Sequence, residues 1–198
     1  MSGQDTGWAN PSPAGLVALA VAVITIYATL AGKVDHTAAI YIAMWLLGGF
    51  VIQFAVAIIE LKEGSLTGGN VFLFFAGMFM LSGAMNDVIS FLAGINGITL
   101  QGTINGYGWL ILTIALTTWM PAYLKTAPAV FSLTVVDLVV MAWCVTFIKL
   151  GLAGAILVPI AAYTALIAAV GALWCAAAFI LNPAFGREIV SLGGKLLK

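Results

Sequence analysis

The sequence predicts an all-α, polytopic membrane protein of six transmembrane helices. Three observations carry that reading. Of the 198 residues, 63% are hydrophobic and only 7% charged, whereas a soluble domain carries roughly a quarter charged residues. The apolar residues gather in six runs, each near the ~20 residues that a helix needs to cross hydrocarbon at ~1.5 Å per residue. The polar stretches between them are short, so residues 1–198 read as one transmembrane domain with tails at about 1–12 and 183–198.

The first run extends from about Ala14 to Leu30; Pro11 and Pro13 lead into it, and Gly32, Lys33, Asp35 and His36 end it. A second, about Ala38 to Leu61, closes on Glu60, Lys62 and Glu63, and a third runs from about Asn70 to Ala93. Residues 94–106 (GINGITLQGTING) are turn and loop chemistry without charge. The fourth run is about Tyr107 to Tyr123, the fifth Ala129 to Ile148 and the sixth Ala153 to Leu181. Pro128 and Pro159 fall in or near first turns, where a missing amide donor costs little.

Basic residues set the orientation. With the N-terminus cytoplasmic, Lys62, Lys125, Arg187, Lys195 and Lys198 lie inside and only Lys33 and Lys149 outside, so both termini are expected in the cytoplasm and the chain in the cell membrane. Gly48, Gly49, Gly77, Gly83, Gly151, Gly154, Gly171 and the alanines of 161–178 are the small residues that let membrane helices pack closely, within a protomer or between protomers.

Several functions lack material. A net charge of zero offers no basic patch for nucleic acid. The two cysteines, Cys144 and Cys175, lie in apolar runs and read as packing residues. The single histidine, His36, is in a loop, and no Ser-His-Asp, HExxH or cofactor fingerprint occurs, so neither an enzyme nor a metal or cofactor is expected. The segment MSGQDTGWANPSPAG lacks a basic n-region before a short apolar core, so the first run is expected to remain in the mature protein.

Two acids fall within spans, Asp87 toward one end of the third and Asp137 near the middle of the fifth. A charge at the bilayer centre costs at least ~2.5 to 3.5 kcal/mol, so each must face a watery path or find a partner. The bland alternatives are a capped loop for Asp87 and a hydroxyl on a neighbouring helix for Asp137. None of the Lys and Arg residues lies inside a span. A passing anion would have to rely on hydroxyls, amides and helix N-termini, of which the start of the first run, capped by Asn10 or Ser12, is one.

Three blocks resemble the acetate uptake transporter family, the succinate-acetate permeases. Asn10-Pro11-Ser12-Pro13-Ala14-Gly15-Leu16 is similar to its NPAPLGL signature, with Ser12 and Ala14 as departures. Gly48-Gly49, Gln53-Phe54-Ala55 and Ile59-Glu60-Leu61-Lys62-Glu63-Gly64-Ser65 are similar to its GG…Q…LLEYKKGN stretch, and Phe185-Gly186-Arg187 stands where the family has FGR. The resemblance implies a six-helix protomer with its own pore, a homo-hexameric ring, and a narrow apolar neck from the first, third and fifth helices. It places Leu19 and Phe75 at that neck, and a gapless reading puts Asp137 nearby. Without it, Leu19 and Phe75 would read as packing or lipid contacts. The resemblance thus implies a channel or proton-linked transporter for acetate, with succinate and other small carboxylates as further substrates and protons as partners. The expected path comprises Asn10, Pro11, Ser12, Pro13, Gly15, Leu16, Leu19, Gln53, Glu60, Asn70, Phe75, Asp87 and Asp137. A channel for urea or a short amide is the alternative, because such channels share the architecture of six helices in a ring.

Overall fold

Helices account for nearly all regular structure in the computed structural model, which describes residues 7–152 and 154–197. The predicted start of the sixth run at Ala153, the first six residues and Lys198 lie outside the described residues. Six rods are found among the described residues. They are α1 (Ser12–Leu30), α2 (Ala39–Lys62), α3 (Leu66–Ile95), α4 (Ile104–Thr126), α5 (Ala129–Lys149) and α6 (Leu157–Phe185). All but α4 are long and apolar enough to cross a membrane. The 23 residues of α4 would extend about 34 Å at ~1.5 Å per residue, and Asn105, Thr117, Thr118 and Pro121 dilute its apolar character.

Boundaries differ from the sequence reading where turns are tighter than composition suggests. Gly64, at φ 82°, reverses the chain so sharply that α3 starts at Leu66 and not near Asn70. The loop expected over 94–106 shrinks at both ends, between Ile95 and Ile104. The last rod begins at Leu157 and continues through Pro183 to Phe185, where Gly186 takes the left-handed conformation (φ 62°) that ends many helices. Its family-like Phe-Gly-Arg block is therefore a helix stop.

The expected C-terminal tail is pinned along the bundle. Asn182 accepts from the amides of Ile189 (2.8 Å) and Val190 (2.9 Å) and donates to the Val190 carbonyl (2.8 Å). Trp174 Nε1 donates to Ser191 O at 2.8 Å, Val130 N to Leu192 O at 3.0 Å and Leu197 N to Leu124 O at 2.9 Å.

Packing runs from α3 through α2, α1 and α6 to α5 and α4, and the α3–α4 seam is the loosest. The tightest seam sets Leu16, Ala18, Leu19, Ala22 and Val23 of α1 near the alanine face of α6, where Ala161, Ala165, Ala168 and Ala172 are buried. The alanine run thus serves contacts within the protomer. Gly15 is needed where Phe72 crosses α1, since a β-carbon there would stand 2.6 Å from its ring. Gly48, Gly77 and Gly154 face open space. Large side chains such as Tyr41, Val51, Tyr163 and Val170 point outward, the pattern of helices in lipid.

Within α3, residues Phe75–Leu81 wind as a π-helix. Ser82 holds its end, with both its amide and its hydroxyl (3.1 Å) donating to Gly77 O. This wider turn carries Phe75 and Phe79 on its buried side.

Candidate functional site

The loose α3–α4 seam leaves a cavity of about 650 Å³ at the end of the bundle that carries His36. All of α1 to α5 line it. Thr25 and Thr29 come from α1, Leu46 from α2, Ser82, Asn86 and Asp87 from α3, Asn105 and Trp109 from α4, and Lys149 from α5. Its polar groups cluster at the mouth. Asn105 Nδ2 donates to Asn86 Oδ1 at 2.7 Å, fastening α4 to α3 beside Asp87. At the rim, Asp35 accepts from the Thr37 hydroxyl (2.5 Å) and the Thr37 amide (2.8 Å), which hold its carboxyl below the ordinary value of 3.8.

The floor is aromatic. Phe79 lies edge-on to Trp109 (5.5 Å between ring centres) and to Phe75 (5.4 Å), while Phe74 meets Phe75 (4.8 Å) and Trp119 (5.3 Å). Beneath it, Phe75 and Leu19 are only 5% and 6% exposed. Both predicted neck residues are buried, and neither lines either cavity.

A second cavity, of about 240 Å³, lies at the opposite end between Trp8, Ala9, Asn10, Pro11, Glu60 and Glu63. Trp8 closes over it. Its amide donates to Glu63 Oε1 at 3.2 Å and Lys62 Nζ sits 4.3 Å from its ring centre. Glu60, only 8% exposed, accepts a short hydrogen bond from the Ser12 hydroxyl.

The start of α1 corrects one expectation. Pro11 is the N-cap; Asn10 before it accepts from the Ser12 amide through Oδ1 at 3.0 Å, and Ala14 N donates to Pro11 O at 3.1 Å. Pro13 has no amide hydrogen. Residues 12–14 thus offer no free amide to an anion, and two glutamates stand beside them.

Of the other predicted residues, Pro13, Gly15, Leu16 and Gln53 are buried between the two cavities, and Asp87 lines the wider one. Asn70 bonds back to its own helix, its Nδ2 donating to Leu66 O at 2.8 Å. Asp137 lines neither cavity and stands eight residues along α5 from Val145, the nearest vestibule residue on that helix. Its Oδ2 is buried without a hydrogen-bond partner. Sequence reasoning missed Phe79, Trp109, Asn86, Asn105 and Lys149. Phe79 was within reach, four residues from Phe75 and hence on the same side of the helix. Lys149 stood as a loop cation, and only the folded chain brings it to the vestibule with Asp87.

Compared by sequence, the chain matches no family model and no curated protein. Compared by structure, it matches the bacterial acetate channel SatP with a TM-score of 0.80, over 94% of this chain and 99% of that one, at 18% sequence identity. The chain shares the fold of that channel. The likeness to SatP agrees with the family resemblance carried by the three sequence blocks.

Proposed function

We propose that this protein belongs to the acetate uptake transporter family and passes acetate, with succinate and other small carboxylates as further substrates, across the cell membrane. The observation that carries the reading is the likeness to an acetate channel over 94% of the chain. The geometry agrees with it: an open vestibule with Phe74, Phe79, Trp109 and Trp119 in its lining stands at one end of the bundle and a smaller cavity at the other. A narrow apolar constriction favours weak, transient occupancy and rapid passage over tight capture.

In this reading the rods cross the bilayer six times, the Glu60 end and both termini face the cytoplasm, and the vestibule opens outward, as the excess of basic residues at the Glu60 end supports. Each protomer holds its own path and six protomers form a ring. Flux is proton-linked.

The acids give the runner-up its support. Asp35 and Asp87 line the vestibule with Lys149, a setting that suits a neutral solute such as urea as well as an anion. Purified protein in vesicles separates the two. Labelled acetate uptake above that of protein-free vesicles, exceeding labelled urea uptake and rising with an inward proton gradient, is the expected result. Uptake of urea alone would replace this reading with the runner-up.

A further inference from the structure

The two cavities are separated by a buried stretch in which one side chain is unsatisfied. Gln53 lies on α2, seven residues beyond Leu46 of the vestibule and seven before Glu60 of the smaller cavity. It is thus about 10 Å from each at ~1.5 Å per residue. It is 1% exposed. Its Nε2 donates to the Gly15 carbonyl at 3.1 Å, while its Oε1 is buried with no partner.

The amide's orientation follows from chemistry. A backbone carbonyl only accepts, so it must face the NH₂ group, and turning the amide over would set two oxygens against each other. The orphan is therefore an acceptor. A buried unsatisfied polar group costs about 1–3 kcal/mol, which a passing molecule recovers only if it brings a donor.

The surroundings exclude a rival partner. The two helices packed against this part of α2 carry no titratable side chain between Ser12 and Ile26 of α1 or between Leu66 and Asn86 of α3. The titratable groups on the inner side are Glu60 of α2 itself, bonded to Ser12, Tyr123 of α4, and at the smaller cavity Glu63 and Lys62, the latter over the Trp8 ring. None of the Lys and Arg residues lies in α1, in α3 or in α2 before Lys62, so an ionised carboxylate set against the orphan Oε1 would meet a carbonyl oxygen and, farther in, a glutamate. Two acceptors cannot bond, and in a desolvated site their repulsion is poorly screened.

We propose that Gln53 is a specificity-determining residue whose carbonyl oxygen accepts the O–H of an undissociated short carboxylic acid, so that the species crossing the barrier is the neutral acid. The inference rests on the proposed carboxylate pathway and adds the form that moves and the atom that selects it. The balance is simple: the acid keeps its proton through the barrier and releases it to water on the far side, delivering one proton per carboxylate and no net charge.

The test uses the full-length protein in vesicles with a trapped pH dye and a clamped membrane potential. External pH is varied at constant acetic acid, and protein-free vesicles supply the background. The expected result is protein-dependent acetate uptake that is constant across pH, indifferent to the imposed potential and matched by one proton appearing inside per acetate. Gln53→Met, similar in shape but without an acceptor, should raise the half-saturating acetic acid concentration about tenfold at unchanged maximal rate, the scale of one lost hydrogen bond. A packing defect would lower the maximal rate instead, and that outcome overturns the role of Gln53. Uptake that follows acetate anion concentration and the imposed potential overturns the inference while leaving the carboxylate pathway standing. A parent protein with no acetate uptake removes both.

Discussion

The two ends of the bundle solve opposite problems with the same helices. At the His36 end α3 and α4 part, leaving the larger cavity with asparagines, two acids and a lysine at its mouth. At the Glu60 end the chain closes on itself. Residues 8–11 cap the smaller cavity, the Ser12–Glu60 bond ties α1 to α2, and the C-terminal tail is fastened to the α4–α5 turn. Openness is thus not a property of the fold as a whole. The His36 end has a polar tie of its own, Asn105–Asn86, and a close-packed glycine, Gly106 against Leu150, yet the larger cavity stands beside them.

The sharpest way to break the comparison is access. Cys144 and Cys175 are buried, so a single introduced cysteine can be read against a quiet background. Asn86→Cys should react fully with a membrane-impermeant thiol reagent from the vestibule side, and Leu16→Cys, from a residue 1% exposed in the barrier, should not react from either side. Equal labelling of the two would mean that the barrier is open and that the ends do not differ.

Packing gives a smaller but graded effect. At the Glu60 end, a β-carbon on Gly69 would stand 2.9 Å from the backbone nitrogen of Leu61 and 2.6 Å from its Cγ, and the backbone cannot yield. At the other end, a β-carbon on Gly83 would meet only the tip of Leu46, at 3.3 Å. Gly69→Ala should therefore cost ~1–3 kcal/mol through overpacking, while Gly83→Ala should be near neutral or gain up to ~1 kcal/mol of helix propensity. Thermal unfolding of the two variants in detergent checks this. A more damaging Gly83→Ala would show that the vestibule wall is as tightly packed as the Glu60 end.

The frame was legible and the vestibule was not. Six apolar runs, the glycine-rich connections and the burial of Leu19 and Phe75 follow from hydrophobic patterning and turn residues, all local signals. What depended on distant partners could not be read. Asn10 and Ser12 both read as helix caps; the Asn10 side chain does accept from the Ser12 amide, but the Ser12 hydroxyl goes to Glu60, 48 residues away. Asp87 lies in the third run and Lys149 in the loop after the fifth, with no pattern linking them, so their common cavity emerges only from the packing of the helices. Asp137, singled out by depth and by the resemblance, lines neither cavity, and its Oδ2 is buried without a hydrogen-bond partner.

The smallest expected effect tests whether the rim at the His36 end is ordered by its own hydrogen bonds. Asp35 is fully exposed, and no other helix holds it; the Thr37 hydroxyl and amide do. Both bonds favour the ionised carboxylate, so its pKa lies below the ordinary 3.8. A carboxyl whose folded pKa is depressed stabilises the native turn above its unfolded pKa, and that contribution disappears as pH falls through the lowered folded value. The turn between α1 and α2 should therefore be indifferent to pH near neutrality and loosen only below about pH 4, the range of an unperturbed Asp. Thr37→Val removes the hydroxyl, the larger of the two causes, and leaves the amide. The Asp35 pKa in that variant, followed by carboxyl-carbon NMR in detergent, should move up toward 3.8 without passing it. A pKa unchanged by Thr37→Val would mean that the rim charge is set by solvent and by His36, and that this edge of the vestibule has no built order of its own.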